Sequence, residues 1–178
     1  MILYFSATGN TKWVAQQLST FLSDSYIYSI TNVETDVFES LAPEEPLGFC
    51  FPIHAWGMPE PVKRVVADLP KHCHTRYLYM VCTCGDDCGT THLQFASLLK
   101  KQGHIPQFMA SVQMPNTYVN LPGFDVDAAE LENHKKEQAK EWVREIAEKI
   151  QSREQGCFVT PFEERIAAKR VLALPRQR

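Results

Sequence analysis

Near its start the chain carries a short apolar run, Met1 to Phe5, that opens directly into Ser6-Ala7-Thr8-Gly9-Asn10-Thr11. A buried strand that ends in hydroxyl, glycine and amide residues and then enters a helix builds an anion site. Its backbone N–H groups point into the turn, the helix N-terminus adds partial positive charge, and the hydroxyls donate further hydrogen bonds. No lysine or arginine lies within the turn. The anion is therefore held by neutral dipoles, which suits a phosphate that stays bound rather than one that is transferred. Two other phosphate motifs are excluded. A P-loop needs Gly-Lys-Ser/Thr four residues after a first glycine, and a Rossmann turn needs Gly-x-Gly-x-x-Gly, whereas Gly9 stands alone between Thr8 and Asn10. Read without its surroundings, the same run is also a plain strand–helix turn capped by Asn10.

The elements that must position this turn follow from periodicity. Val14, Leu18, Phe21 and Leu22 share a helical face, so Thr11 to about Leu22 reads as a helix. Tyr26 to Ile30 is strand-like, a helical turn is expected near Val37 to Leu41, and Leu47 to Phe51 is an apolar strand that stops at Pro52. Val62, Val65, Val66 and Leu69 form a helical stripe with Pro61 in its first turn. Tyr77 to Cys82 is a further strand, Thr90 to Gln102 a helix closed by Gly103, and Pro106 to Met114 a last strand. Asp127 and Glu130 resemble a capping pair for a long helix whose apolar stripe is Ala139, Trp142, Val143, Ile146 and Ile150. Apolar strands alternating with helices imply an α/β doubly wound parallel sheet with helices on both faces. Ligands of such sheets bind beyond the carboxyl ends of the strands.

That rule singles out two more loops. Pro52-Ile53-His54-Ala55-Trp56-Gly57-Met58-Pro59 sets an indole beside a glycine between two prolines. Trp56 either lies against a flat heteroaromatic ring or packs on its own domain, and Gly57 permits close backbone approach and unusual dihedrals. Thr83-Cys84-Gly85-Asp86-Asp87-Cys88-Gly89 has few bulky residues, so its amides can line a polar ring edge. Alone, it reads as a tight turn with Asp86 and Asp87 solvated.

Composition bounds these readings. A chain of 178 residues, 44% hydrophobic, can bury one substantial core, and a net charge of −3 argues against nucleic acid as a partner. No apolar stretch reaches membrane-spanning length, and a cytoplasmic location is expected. The six cysteines (Cys50, Cys73, Cys82, Cys84, Cys88 and Cys157) follow no zinc-ribbon or ferredoxin spacing. His72-Cys73-His74 and the later Cys82, Cys84 and Cys88 are separated by most of a strand, so no metal is expected.

The run Ser6, Thr8, Gly9, Asn10, Thr11 matches the phosphate loop of flavodoxins. With the two further loops the chain resembles a flavodoxin-fold, FMN-binding protein from Met1 to about Ile150. The resemblance implies a five-stranded sheet in the order 2-1-3-4-5, within a domain spanning 1–155, followed by a tail or helix over 156–178. It is most similar to the flavodoxin half of EFR-type flavodoxin–ferredoxin fusion proteins, which share a Pro-x-x-x-x-Gly-x-Pro second loop, a Thr-Cys-Gly third loop and a segment like Met114-Pro115-Asn116-Thr117-Tyr118. Two departures stand out. The Cys-x₂-Cys-x₂-Cys-x₃-Cys-Pro run of a ferredoxin module is missing from the sequence. The third loop also lacks the tyrosine with which flavodoxins cover the outer flavin face, leaving that face open or covered by Tyr118 or the tail.

What the resemblance implies is electron transfer through FMN. Ser6, Ala7, Thr8, Gly9, Asn10 and Thr11 would take the phosphate. Pro52, Ile53, His54, Ala55, Trp56 and Gly57, with Thr83, Cys84, Gly85, Asp86, Gly89 and Tyr118, would surround the ring. Asp86 and Asp87 would disfavour an anionic reduced flavin and so lower its potential. An electron carrier served by a ferredoxin-like or reductase partner is one class. A reductase using a nicotinamide donor and a quinone-type acceptor, with His54 as proton donor, is another, and a flavodoxin-fold module without FMN is a third. The acidic residues of a response regulator are replaced by Phe5-Ser6-Ala7. In the tail, Phe162, Ile166, Val171, Leu172 and Leu174 with Arg165, Lys169, Arg170, Arg176 and Arg178 read as a helix packed on the domain, or as a basic docking surface for an acidic redox partner.

Overall fold

The structure is a computed structural model that describes residues 1–159 except 24, 34, 35, 40, 43, 118 and 120–124; for 36, 74 and 75 only the backbone is described. Tyr118 and the tail residues named above lie outside the described residues.

The strands β1 (Ile2–Tyr4), β2 (Ile27–Ser29), β3 (Leu47–Pro52), β4 (Leu78–Cys84), β5 (Pro106–Gln113) and β6 (Gly156–Phe158) form one sheet in the order β2-β1-β3-β4-β5-β6. Every pairing is parallel. The helices are α1 (Asn10–Phe21), the single turn α2 (Asp36–Glu39), α3 (Glu60–Ala67), α4 (Thr91–Lys101) and α5 (Ala129–Gln151). The expected order holds over the first five strands, and the expectation of five strands in all is corrected by β6. Its residues pair with Phe108 to Ala110 and so satisfy that part of the β5 edge, while the Phe158 and Phe108 rings lie 5.3 Å apart. Three residues around a glycine carry no periodic signal in sequence.

Alternation along each central strand divides its side chains between two cores. Leu3, Phe49, Phe51, Met80 and Cys82 face α3 and α4, packing with Val62, Val66, Phe95 and Leu99. Ile2, Cys50, Tyr79, Val81 and Phe108 face α1 and α5, against Val14, Leu18, Val143 and Ile146. Burial on both faces is why these strands read as continuous apolar runs. The direction of winding reverses between β1 and β3, so the loops after β1, β3 and β4 converge beyond the same edge.

Gly48 in β3 shows how tightly the second core is filled. A Cβ placed there would fall inside the Tyr79 ring, which is buried against the strand. Overpacking of this kind costs on the order of 1–3 kcal/mol. Gly48→Ala is therefore expected to lower the unfolding free energy by that amount, read as a fall in the urea midpoint at unchanged slope, and an unchanged midpoint would show that Tyr79 moves aside freely.

Candidate functional site

The first loop forms because β1 ends after Tyr4 and the chain turns through Gly9, whose φ of 104° puts it in the left-handed region that an L side chain rarely adopts. The Gly9 N–H donates to Ser6 Oγ at 3.2 Å, which closes the turn. Trp13 N–H makes the first helical bond, to Gly9 O. No side chain caps α1, and no acidic residue stands in its first turn. The reading of Asn10 as a simple cap is therefore overturned. Its side-chain amide instead donates 3.0 Å to Pro115 O. Nothing lies within 4 Å of the point where a Gly9 Cβ would stand, so the turn faces open space rather than packed protein. Ala7, Thr8 and Gly9 are exposed there, while Ser6 and Asn10 are half-buried.

Thr11 behaves differently. Its hydroxyl is buried and shares a 2.7 Å hydrogen bond with the Thr83 hydroxyl, tying the start of α1 to β4. Thr8 Oγ1 stands 3.4 Å from Thr117 Oγ1. The stretch after β5 thus braces the first loop at both Thr8 and Asn10.

The second loop is a tight hairpin. His54 and Gly57 exchange both backbone bonds, at 2.9 and 3.0 Å, and the two residues between them, Ala55 and Trp56, have φ of 47° and 60°. Positive φ at both central residues is the signature of a type I′ turn, usually built from Asn and Gly. The expected unusual dihedrals therefore fall on Ala55 and Trp56 and not on Gly57. A left-handed conformation costs a non-glycine residue roughly 1–2 kcal/mol, and strain of this kind collects at ligand clamps. Gly57 serves close approach instead, since a Cβ there would stand 2.8 Å from Gln94 Oε1, which accepts the Met58 N–H. Trp56 is 56% exposed, with its Cβ against Gly89. The indole is not part of the core. His54 is exposed, and its ring meets Phe5 edge-on at 5.9 Å.

The third loop is shorter than expected. Thr83 and Cys84 belong to β4, buried and paired with Val112 and Gln113, so the loop proper begins at Gly85. Pro52 closes β3 half-buried, and Ile53 donates its N–H to Thr83 O at 3.0 Å, joining the second loop to β4. Asp86 is exposed. Asp87 is not solvated, because it is 4% exposed and accepts the Gly89 N–H at 2.9 Å. Cys88, within this loop, is buried, in contact with the Cys82 thiol and 3.6 Å from His92 Nδ1. The Cys82 contact holds the Cys88 thiol below its ordinary range. Among the described residues no group of three or more His, Cys, Asp or Glu is placed to hold a metal ion.

Sequence reasoning missed the support behind this loop. Lys135 in α5 is 7% exposed and donates to Gly85 O at 2.9 Å and to Asp127 Oδ2 at 2.7 Å. Asp127 Oδ2 also accepts the Asn116 N–H at 2.9 Å. The expected capping role of Asp127 and Glu130 is thus corrected, since α5 has no side-chain cap and the carboxylate is taken by Lys135. A lysine on the apolar side of a helix stripe was the available signal. Burial acts to raise the Asp127 pKa, but the bonds from Lys135 and Asn116 outweigh it and hold the carboxyl below its ordinary value.

The loops after β1, β3 and β4 and the stretch from Met114 to Thr117 therefore meet at one edge of the sheet. They present uncapped amides, hydroxyls and an exposed indole. A surface depression along α5 is lined by Glu137, Glu141 and Glu145, the wrong charge for phosphate. Among the described residues no helix is long and apolar enough to cross a membrane.

Comparison with solved structures identifies the fold. A flavodoxin of Streptococcus pneumonia TIGR4 matches with a TM-score of 0.56 at 16% identity, over 85% of this chain and 96% of that one. Two-electron reduced Megasphaera elsdenii flavodoxin matches at 0.55 and 15%, over 82% and 96%. The Trp repressor binding protein of Bacillus subtilis matches at 0.57 and 16%, over 80% and 94%. The chain has the flavodoxin-like fold. No protein-family model and no curated protein matches the sequence.

A carboxyl held below its ordinary value contributes stability above the unfolded-state value, near pH 4, and that stability is lost as pH falls through the lower folded value. Asp127→Ala leaves the Lys135 ammonium uncompensated, at a cost of about 3 kcal/mol near neutral pH. Urea midpoints from pH 7 down to pH 2.5 should show the difference between wild type and variant shrinking only below about pH 4. A constant difference would contradict the ion pair.

Proposed function

We propose that this chain binds FMN and acts in electron transfer. The observation that carries the reading is the first loop, an uncapped helix N-terminus with no acidic residue in its first turn, opening beside exposed Thr8 and Gly9. Such a site suits a bound phosphate group. The amides at the start of α1, with Ser6 and Thr8, would hold the phosphate. Asn10 and Thr11 would hold the loop itself, through Pro115 and Thr83. The strained hairpin at Ala55–Trp56 and the glycines of the third loop would receive the ring. FMN, when bound, supplies the redox chemistry. This chain's residues orient it, keep water from one side of it and set the charge around it.

The finer likeness, to the flavodoxin half of flavodoxin–ferredoxin fusions, belongs to the same proposal. It rests on Thr83-Cys84-Gly85 and on Met114-Pro115-Asn116-Thr117, the stretch that braces the phosphate loop. A ferredoxin-like or reductase protein would then be the redox partner. One observation favours a second reading, a nicotinamide-dependent reductase. Trp56 is more than half exposed and the third loop carries no aromatic residue, which leaves room at the ring for a substrate.

Titrating FMN with ligand-free protein should quench flavin fluorescence at one flavin per chain, with riboflavin, which lacks the phosphate, binding at least tenfold more weakly. No quenching would overturn the proposal. Stepwise reduction of the complex should proceed in two resolved one-electron steps for a carrier, whereas direct two-electron bleaching by a nicotinamide favours the reductase. Asp86→Asn removes the exposed carboxylate of the third loop and is expected to raise the potential of the second step. An unchanged potential in redox titration would remove Asp86 from the account.

A further inference from the structure

Two thiols bracket the third loop. Cys82 lies in β4 and Cys88 just before α4, and neither is in a disulfide. With Cys84 and His92 nearby they still make no metal site, since no such group among the described residues is placed to hold an ion. Cys84 turns its sulfur to Val112 O, at 3.8 Å. Cys82 and Cys88 instead share a hydrogen bond between their side chains. Two thiols in contact across a loop are the starting geometry for a disulfide.

The surroundings of Cys88 differ from those of the other buried thiols. Its carbonyl accepts the Thr91 N–H at 3.2 Å, which sets it at the entrance to α4, a helix with no side-chain cap and no acidic residue in its first turn. His92, in that first turn, brings Nδ1 to 3.6 Å from Cys88 Sγ. A helix N-terminus and a neighbouring imidazole are the settings in which cysteines become reactive. Contact with Cys82 lowers the Cys88 thiol and outweighs burial and Asp87, which raise it. Burial pushes the Cys50 and Cys84 thiols up instead. Cys88 is itself buried, but Asp86 and Thr90 are exposed and Gly89 and His92 half-buried, so its cover on the solvent side is loop.

We propose that Cys88 and Cys82 form a dithiol–disulfide couple oxidised by hydroperoxides, with Cys88 the attacking thiol and Cys82 the resolving one. This chemistry needs no bound flavin. Cys88 gives its proton to His92 Nδ1, and its sulfur attacks the terminal peroxide oxygen. An S–O bond forms, the O–O bond breaks, and the alcohol (water, from hydrogen peroxide) leaves with the proton held by His92. The Cys82 sulfur then attacks the Cys88 sulfenic acid. An S–S bond forms, the S–O bond breaks, and water leaves with the Cys82 proton. The two thiols are oxidised and the peroxide takes up their two electrons. The product encloses residues 83–87, so oxidation ties the third loop to β4.

The test treats the reduced protein at pH 7 with hydrogen peroxide and follows each thiol by peptide mass spectrometry. Cys88 should lose its thiol about tenfold faster than Cys157, although Cys157 is exposed. The chain should lose the mass of two hydrogens, as a Cys82–Cys88 disulfide that dithiothreitol reverses. Cys82→Ala should halt at a Cys88 sulfenic acid, captured by dimedone, and Cys88→Ala should leave Cys82 a thiol. Urea midpoints show whether each variant is folded, and where one is not, the order in which Cys88 and Cys157 react in the wild type decides. Oxidation of Cys157 ahead of Cys88 would overturn the proposal. So would a disulfide from Cys88 to Cys84 in place of Cys82, or a Cys88 as inert as the buried Cys50.

Discussion

Every strand of this sheet runs in the same direction, and the rest of the site depends on that constraint. Parallel strands finish at one edge, where their ladders stop and the backbone that continues beyond them must find other partners. Here side chains from neighbouring elements supply them. Asn10 takes Pro115 O, Gln94 takes the Met58 N–H, Lys135 takes Gly85 O and Gln113 takes Asp86 O. The buried Thr11–Thr83 hydroxyl pair links two of the strand exits directly. What these bonds leave over is the start of α1, which no side chain caps.

Much of this was legible in the sequence, for identifiable reasons. The central strands are buried on both faces, so Leu47 to Phe51 and Tyr77 to Cys82 declared themselves as apolar runs. The turn from Ser6 to Thr11, with Gly9 at its centre, marks the exit from β1 and the start of α1 where the structure has them. Pro61 and Gly103 mark a helix start and a helix end where the structure has them. The fold follows from these local signals because parallel crossovers leave few arrangements open.

Other features arise from long-range contacts and left little local trace. Asp127 and Lys135 stand too far apart along the chain to read as a helical pair, and Asp127 lies where a capping residue would. Ala55 and Trp56 are not turn formers, and only the closure of His54 on Gly57 forces them to positive φ. Thr83 and Cys84 looked like loop because β5 outlasts the apolar run that defined β4, and pairing with Val112 and Gln113 keeps them in the sheet. The strand at Gly156–Phe158 exists only because β5 has an edge to be paired. Each of these misses lies at the sheet's ends or edges, where tertiary partners override propensity.

The central claim is that one ligand spans the first and third loops, with its phosphate on α1 and its ring beside Trp56. Amide proton–nitrogen NMR of the protein during addition of FMN tests this most directly. The account predicts that the amides of Gly9, Asn10, Thr11 and Lys12 and those of Gly85 and Asp86 shift together, saturating at one FMN per chain. Shifts confined to α5 along Glu137 and Glu141, or in only one of the two loops, would contradict it.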